Sequence, residues 1–268
     1  MTDRYAALFT RLLGADAAAL IPYLVIGDPT PGDFLDLVDI LVEHGADALE
    51  LGIAFSDPLA DGPTIQQATQ RALRSGVCPN RALDLVARVR HRHPDLPIGL
   101  LVYANVVLNT ADFAAKCVAA GADSILIPDV PLETDFPLGP APTPLQRVYI
   151  LPPNADERLT KAVAQASQGY VYVTSRAGVT GASDTISARI GRHLPMLAAN
   201  GAPPTVLGFG ISRGDQVRRA CAAGFDGVII GSALVQRVAD NLHDRPQMRS
   251  AAAQMMREMK PATIREAA

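Results

Sequence analysis

Three carboxylates crowd one stretch of the chain, LELGIAFSDPLADG, residues 49–62. Glu50 interrupts an otherwise apolar, strand-like run, and Asp57 and Asp61 follow on what reads as a loop. Burying an acid is expensive unless it is paired or put to use. Glu50 therefore has two readings. As a strand-end glutamate it would be solvated or paired with a lysine or arginine, a common outcome. Held among its apolar neighbours, its pKa would rise and it could exchange a proton near neutral pH. Asp61, flanked by Ala60 and Gly62, could fold back over the same cavity. Two carboxylates in different environments make an acid/base pair with separated pKa values.

A second chemistry is suggested by two glycine-rich turns, GFGIS (208–212) and IGSAL (230–234). Without a side chain in the way, the backbone N–H groups of Gly210, Gly231 and Ser232 could approach an anion. The plainer alternative is that these are only tight turns between elements. SRAGVTG (175–181) combines small, polar and glycine residues and suits either a closing lid or an ordinary surface loop. Tyr170 and Tyr172 are two apart and share a strand face, so at least one could line a cavity unless both pack against helices. Together these residues imply a phosphate-bearing substrate and metal-free acid/base chemistry, without naming the substrate.

The elements that must carry them are legible as alternation. Short β-branched runs are separated by stretches of helical period, the mark of parallel βαβ units. The expected strands are 20–26, 48–53, 98–103, 124–128, 147–151, 170–174, 205–209 and 227–231. PGDFLDLVDILVEHG, RALDLVARVRHRH, DERLTKAVAQAS and RGDQVRRACAAG read as helices between them. Several helical runs end in a glycine just before the next strand, as in EHGAD, AAGAD and AAGFD, which suits helix C-caps and forms a pseudo-repeat. Eight such units over about 250 residues predict a single (β/α)8 barrel over 1–268, with an extra N-terminal helix. A doubly wound sheet would more naturally show GxGxxG after its first strand, and GDPTPG (27–32) is not that. In a barrel the site lies at the C-terminal ends of the strands, and the loops after strands seven and eight often hold phosphate. Pro137, Pro140, Pro142 and Pro144 follow the fourth strand closely. A proline inside a helix costs about 3 kcal/mol or more, so the fourth helix should be truncated or absent.

Composition narrows the class. The 268 residues are 49% hydrophobic and 19% charged with a net charge of −3, enough to bury a core and without a basic nucleic-acid footprint. Cys78, Cys117 and Cys221 are scattered, with no zinc-like spacing, and read as reduced cytosolic thiols. The five histidines suggest no metal site. Charges break every apolar run near the N-terminus, so it reads as no signal peptide, and no run reaches the roughly 18 residues of a membrane helix.

LELGIAFSDPLADGPTIQ, YANVVLN (103–109), PDVP, LPPNAD (151–156), SRAGVTG, GFGIS and GSALV occur in the order found in the tryptophan synthase alpha chain family, which this sequence resembles from RYAALF to about Asn241. The resemblance implies retro-aldol cleavage of indole-3-glycerol phosphate to indole and glyceraldehyde 3-phosphate. It makes Glu50 the general acid/base and Asp61 the acceptor of the indole N–H. It puts Tyr172 near the glycerol phosphate, Gly181, Gly210, Gly231 and Ser232 at the phosphate, and Thr180 on the closing loop. Tyr23, Leu101, Leu126 and Ile229 would line the indole pocket, although resembling chains often carry phenylalanine at position 23. No cofactor is implied in this chain. Pyridoxal phosphate belongs to a partner beta chain in an alpha2beta2-type complex, with Asp57 and Pro58 on the docking and signalling loop.

Two departures from the family pattern bear on docking and stability rather than on the chemistry. Ala54 replaces a usual proline, which should loosen the Asp61 loop. The proline-rich 137–144 segment replaces the fourth helix beside the partner face. Two alternative functions are a stand-alone lyase releasing free indole and a weakly active regulatory partner of a beta chain.

Overall fold

The computed structural model describes residues 3–134, 138, 144–174, 191 and 193–265. Its strands are β1 (Ala19–Val25), β2 (Leu49–Gly52), β3 (Ile98–Leu101), β4 (Ser124–Leu126), β5 (Gln146–Arg147), β6 (Tyr149–Leu151), β7 (Val171–Thr174), β8 (Thr205–Gly208) and β9 (Gly227–Ile230). They form one sheet in the order β5-β4-β3-β2-β1-β9-β8-β7-β6, every pair parallel. The two ends of that order are halves of one strand interrupted at Val148. One half pairs with β4 and the other with β7, and Val148 N–H still donates to Ile125 O at 2.9 Å. The sheet therefore closes on itself as an eight-staved (β/α)8 barrel.

Side-chain alternation divides the barrel into two cores. Along β1, Leu20 and Leu24 pack outward against the helices, whereas Ala19, Ile21, Tyr23 and Val25 point inward. The inward set continues with Leu126, Val148, Tyr170, Tyr172, Val206 and Ile229. The helix Arg4–Gly14 closes the strands' N-terminal end. Its Tyr5, Leu8, Phe9 and Leu12 recur at helical period and join the inner core. Tyr5 shares a 2.9 Å hydrogen bond with Ser124 Oγ, and Arg4 pairs with Asp123 at 2.8 Å.

The helix–glycine–aspartate joints have a common geometry. Gly45, Gly121 and Gly224 take φ of 96°, 87° and 97°, left-handed values that glycine adopts without strain. The aspartate two residues on accepts a backbone N–H at the start of a neighbouring strand: Leu20 to Asp47, Ile98 to Asp123 and Thr205 to Asp226, at 2.8–2.9 Å. The pseudo-repeat is a set of stitches along the bottom of the barrel.

Between β4 and β5 the described residues contain no helix, in keeping with the proline-rich stretch; Pro137, Pro140 and Pro142 lie outside the described residues. The chain's late helix runs over Arg245–Met259, opens on Pro246 and buries Met248, Met255, Met256 and Met259. Among the described residues no helix is long and apolar enough to cross a membrane. Cys78, Cys117 and Cys221 are free thiols, and no cluster of three or more potential metal ligands occurs among the described residues.

Candidate active site

Glu50 occupies an inward position of β2, between Leu49 and Leu51, which face the helices. In register it lies between Tyr23 on β1 and Gly99 on β3. It is 2% exposed, and Tyr170 Oη donates to its Oε1 at 3.2 Å. Tyr170 in turn stands edge-on to Tyr5, with ring centroids 5.5 Å apart. Burial pushes the Glu50 carboxyl up to about 8; the Tyr170 hydrogen bond pulls it down, and the nearby charge of Asp61 adds to the rise. Among the described residues Glu50 has no ion-pair partner, so the solvated or salt-bridged reading does not hold.

Asp61 reaches the same cavity from the loop after β2. Tyr103 Oη donates to its Oδ2 at 2.9 Å and accepts from Ala60 N–H at 3.0 Å, so one tyrosine clamps both the carboxylate and its backbone. The N–H of Asp61 donates to Pro58 O at 3.1 Å, and Gln66 Nε2 donates to the Asp61 carbonyl at 2.8 Å. Its carboxyl is pushed up to about 6 by burial, opposed by the Tyr103 hydrogen bond. Between those two values Glu50 holds a proton while Asp61 is ionised. Asp57 lies outside the cavity, exposed, and accepts from Ser56 Oγ at 2.5 Å.

The cavity wall comprises Tyr23, Glu50, Asp61, Ile65, Leu101, Tyr172, Phe209, Gly210, Ile211, Ile229, Gly231 and Ser232. Nine of the residues expected from the sequence thus meet here. Leu126 is buried in the same inner core but is not on this wall. Thr180, Gly181 and the whole SRAGVTG stretch lie outside the described residues. A larger cavity of about 800 Å³ lies elsewhere, beside β4 and β6, and contains neither carboxylate.

Backbone geometry shapes the rim. Phe209 and Gly210 both take positive φ, 65° and 83°, which is unusual for a phenylalanine and directs its ring edge-on to Tyr172 at 5.7 Å. Gly208 is required on β8 because a Cβ there would run into the Tyr172 ring. The helix Ser232–Ala239 opens at Gly231 without a side-chain cap, so its N-terminal N–H groups and dipole face the cavity rim.

Sequence reasoning did not assign Tyr170 to Glu50, nor Tyr103 to Asp61, and it missed Ile65, Phe209 and Ile211. The shared face of Tyr170 and Tyr172 was a usable signal for the first. Nothing local marks the contact of Tyr103 with Asp61, 42 residues apart.

A closed parallel barrel with two carboxylates around one cavity at the C-terminal ends of its strands has the architecture of a (β/α)8-barrel enzyme. Residues 9–264 match the family model described as tryptophan synthase alpha chain. The chain is 51% identical to the tryptophan synthase alpha chain of Edwardsiella ictaluri over 270 residues, covering 97% of this chain and 98% of that one. With that of Cronobacter sakazakii it shares 45% over 266 residues, covering 98% and 99%. The crystal structure of tryptophan synthase subunit alpha from Legionella pneumophila superposes with a TM-score of 0.84 at 27% identity, over 98% of this chain and 99% of that one. A Mycobacterium tuberculosis tryptophan synthase chain does so with 0.81 at 30%, over 97% and 99%. This chain belongs to the tryptophan synthase alpha chain family.

Proposed function

We propose that Glu50 and Asp61 are the acid/base pair with which this chain performs its family's reaction. That reaction is the lyase half of tryptophan synthase, the cleavage of indole-3-glycerol phosphate into indole and glyceraldehyde 3-phosphate. The observation that carries the assignment is the pairing of a buried Glu50 near 8 with an Asp61 near 6 around one cavity. At neutral pH Glu50 gives its proton to the indole C3, and the ring nitrogen takes up the positive charge. Asp61, already ionised, accepts the N–H hydrogen bond and stabilises that charge. The bond from C3 to the side chain then breaks, and its electrons restore the aromatic ring. The side-chain carbinol becomes the aldehyde, and its hydroxyl proton returns to Glu50. One carboxyl therefore serves as acid and then as base, which suits a pKa near the working pH.

Leu101, Ile229 and the Tyr23 ring supply the apolar wall for the indole. Gly231 and Ser232, at the uncapped start of a helix, and Gly210, on the turn after β8, suit the phosphate. Tyr172, on the same wall and in ring contact with Phe209 beside Gly210, is assigned to the glycerol phosphate. Thr180 and Gly181 are assigned to the closing loop and phosphate by resemblance alone. The chain carries no cofactor of its own for this chemistry; pyridoxal phosphate serves the beta chain, with which alpha chains of this family form alpha2beta2 complexes. The exposed loop of Asp57 and Pro58 is assigned to that contact, and Pro58 O, which holds the Asp61 N–H, links it to the site. We place the enzyme in the cytoplasm as one barrel domain.

The deciding experiment is indole release by the purified chain, alone and with a beta chain, beside Glu50→Gln. Turnover that rises with the partner and is lost in the variant is expected. Undiminished turnover in Glu50→Gln would overturn the acid/base assignment.

A further inference from the structure

Tyr23 is 6% exposed and lines the cavity, yet its hydroxyl has no hydrogen-bond partner among the described residues. The ring spans the wall between two neighbouring strands. Its Cβ end lies near Gly231, where an added Cβ would sit 3.7 Å away, and its hydroxyl lies against Gly52 on β2. A Cβ at position 52 would collide with that hydroxyl, so Gly52 leaves room for it. The hydroxyl thus points away from the uncapped helix and toward β2, the strand that carries Glu50.

We propose that the Tyr23 hydroxyl is a specificity determinant that favours an indole ring bearing a hydrogen-bonding substituent, a hydroxyl or an amine, over one bearing an apolar group of similar size. The inference rests on the reading of this cavity as the indole-glycerol phosphate site. An apolar ring covers the hydroxyl and leaves it without a partner, which costs more than an ordinary hydrogen bond gains. A polar substituent at the matching ring position restores the partner. Sites built around a substrate's hydrogen-bonding group discriminate against analogues lacking it far more strongly than apolar pockets discriminate by size.

The test is the reverse condensation of glyceraldehyde 3-phosphate with hydroxyindoles and methylindoles substituted at each benzo-ring position, using the full-length chain and Tyr23→Phe. At one ring position the wild-type chain should prefer hydroxyl to methyl by about tenfold in kcat/KM, the effect of roughly one neutral hydrogen bond. Tyr23→Phe should bring that ratio to unity or below. A hydroxyl-to-methyl ratio unchanged by the substitution at every position would overturn the proposal. Should the variant fail to fold, the wild-type series decides: no preference at any position overturns it. Glu50→Gln with unsubstituted indole separates the two readings. Its inactivity together with an unmoved Tyr23→Phe ratio sinks only the present inference, and its full activity sinks the reading of the site.

Discussion

Burial keeps the proton on Glu50, as the acid role proposed for it requires. With Glu50 near 8 and Asp61 near 6, kcat/KM should follow a bell between those limbs, flattening on the acid side in Asp61→Asn. The two groups feel each other, so the limbs belong to the pair as a whole. Tyr103→Phe removes the hydrogen bond that lowers the Asp61 pKa; its acid limb should move up and kcat/KM fall about tenfold, the scale of one charge-assisted hydrogen bond. Burial also ties Glu50 to stability. The folded chain holds this proton more tightly than the unfolded chain, whose carboxyl titrates near 4.5. The contribution is whole below that value and is lost as pH rises through about 8. Glutamine has no proton to lose. Denaturant titrations should therefore show Glu50→Gln gaining on the wild type as pH climbs, by a few kcal/mol above pH 8, the order expected for a shift of this size.

At the scale of elements, side chains off the cavity wall tie together the elements that form it. The helix Pro63–Arg74, which follows the Asp61 loop, is tied to the loop after β1 by Arg71, whose two nitrogens donate to the Asp28 carboxylate at 2.7 and 2.9 Å. Asp28 is 4% exposed, and burial raises its pKa against the pull of Arg71. Arg71→Met should lower unfolding stability by about 3–5 kcal/mol, because it strands a buried carboxylate. Much of that loss should return at acid pH as Asp28 takes a proton. On β8, Gly208→Ala would push Tyr172 off its place; a rise in KM exceeding the fall in kcat would fit displacement of a binding group. The strands, the helices and the helix–glycine–aspartate joints were legible because alternation, helical period and left-handed caps are properties of neighbouring residues. The break at Val148 was not legible, since RVYIL reads as one uninterrupted strand until both of its partners are known.

For the whole molecule, the loop that carries Asp61 also carries Leu59, an apolar side chain left 83% exposed. With Asp57 and Pro58 beside it, Leu59→Asp should weaken activation by a beta chain, read as a higher beta-chain concentration for half-maximal indole release. The rate of the chain alone should stay within about twofold, because exposed substitutions away from buried features have small effects. Ala54 is buried in the inner core at the base of that loop, 5% exposed. The loop's order rests on Tyr103, through the Ala60 and Asp61 hydrogen bonds and a 5.7 Å ring contact with Phe55. That contact lies one residue beyond Ala54.

By itself the sequence determined the (β/α)8 succession, the isolated acid in β2, the glycine turns after the last two strands and the family. Each is written in local period or in a contiguous motif. Only the tertiary structure decided that Glu50 has no counter-ion among the described residues, that Tyr170 serves Glu50 while Tyr103 serves Asp61, and that Leu126 is not on this cavity wall. It also turned the repeated joints into stitches between strands and placed the Tyr23 hydroxyl, without a partner among the described residues, beside Gly52. Those outcomes depend on strand register and barrel closure, which bring residues 42 and 120 positions apart within hydrogen-bonding distance. No local propensity encodes such distances.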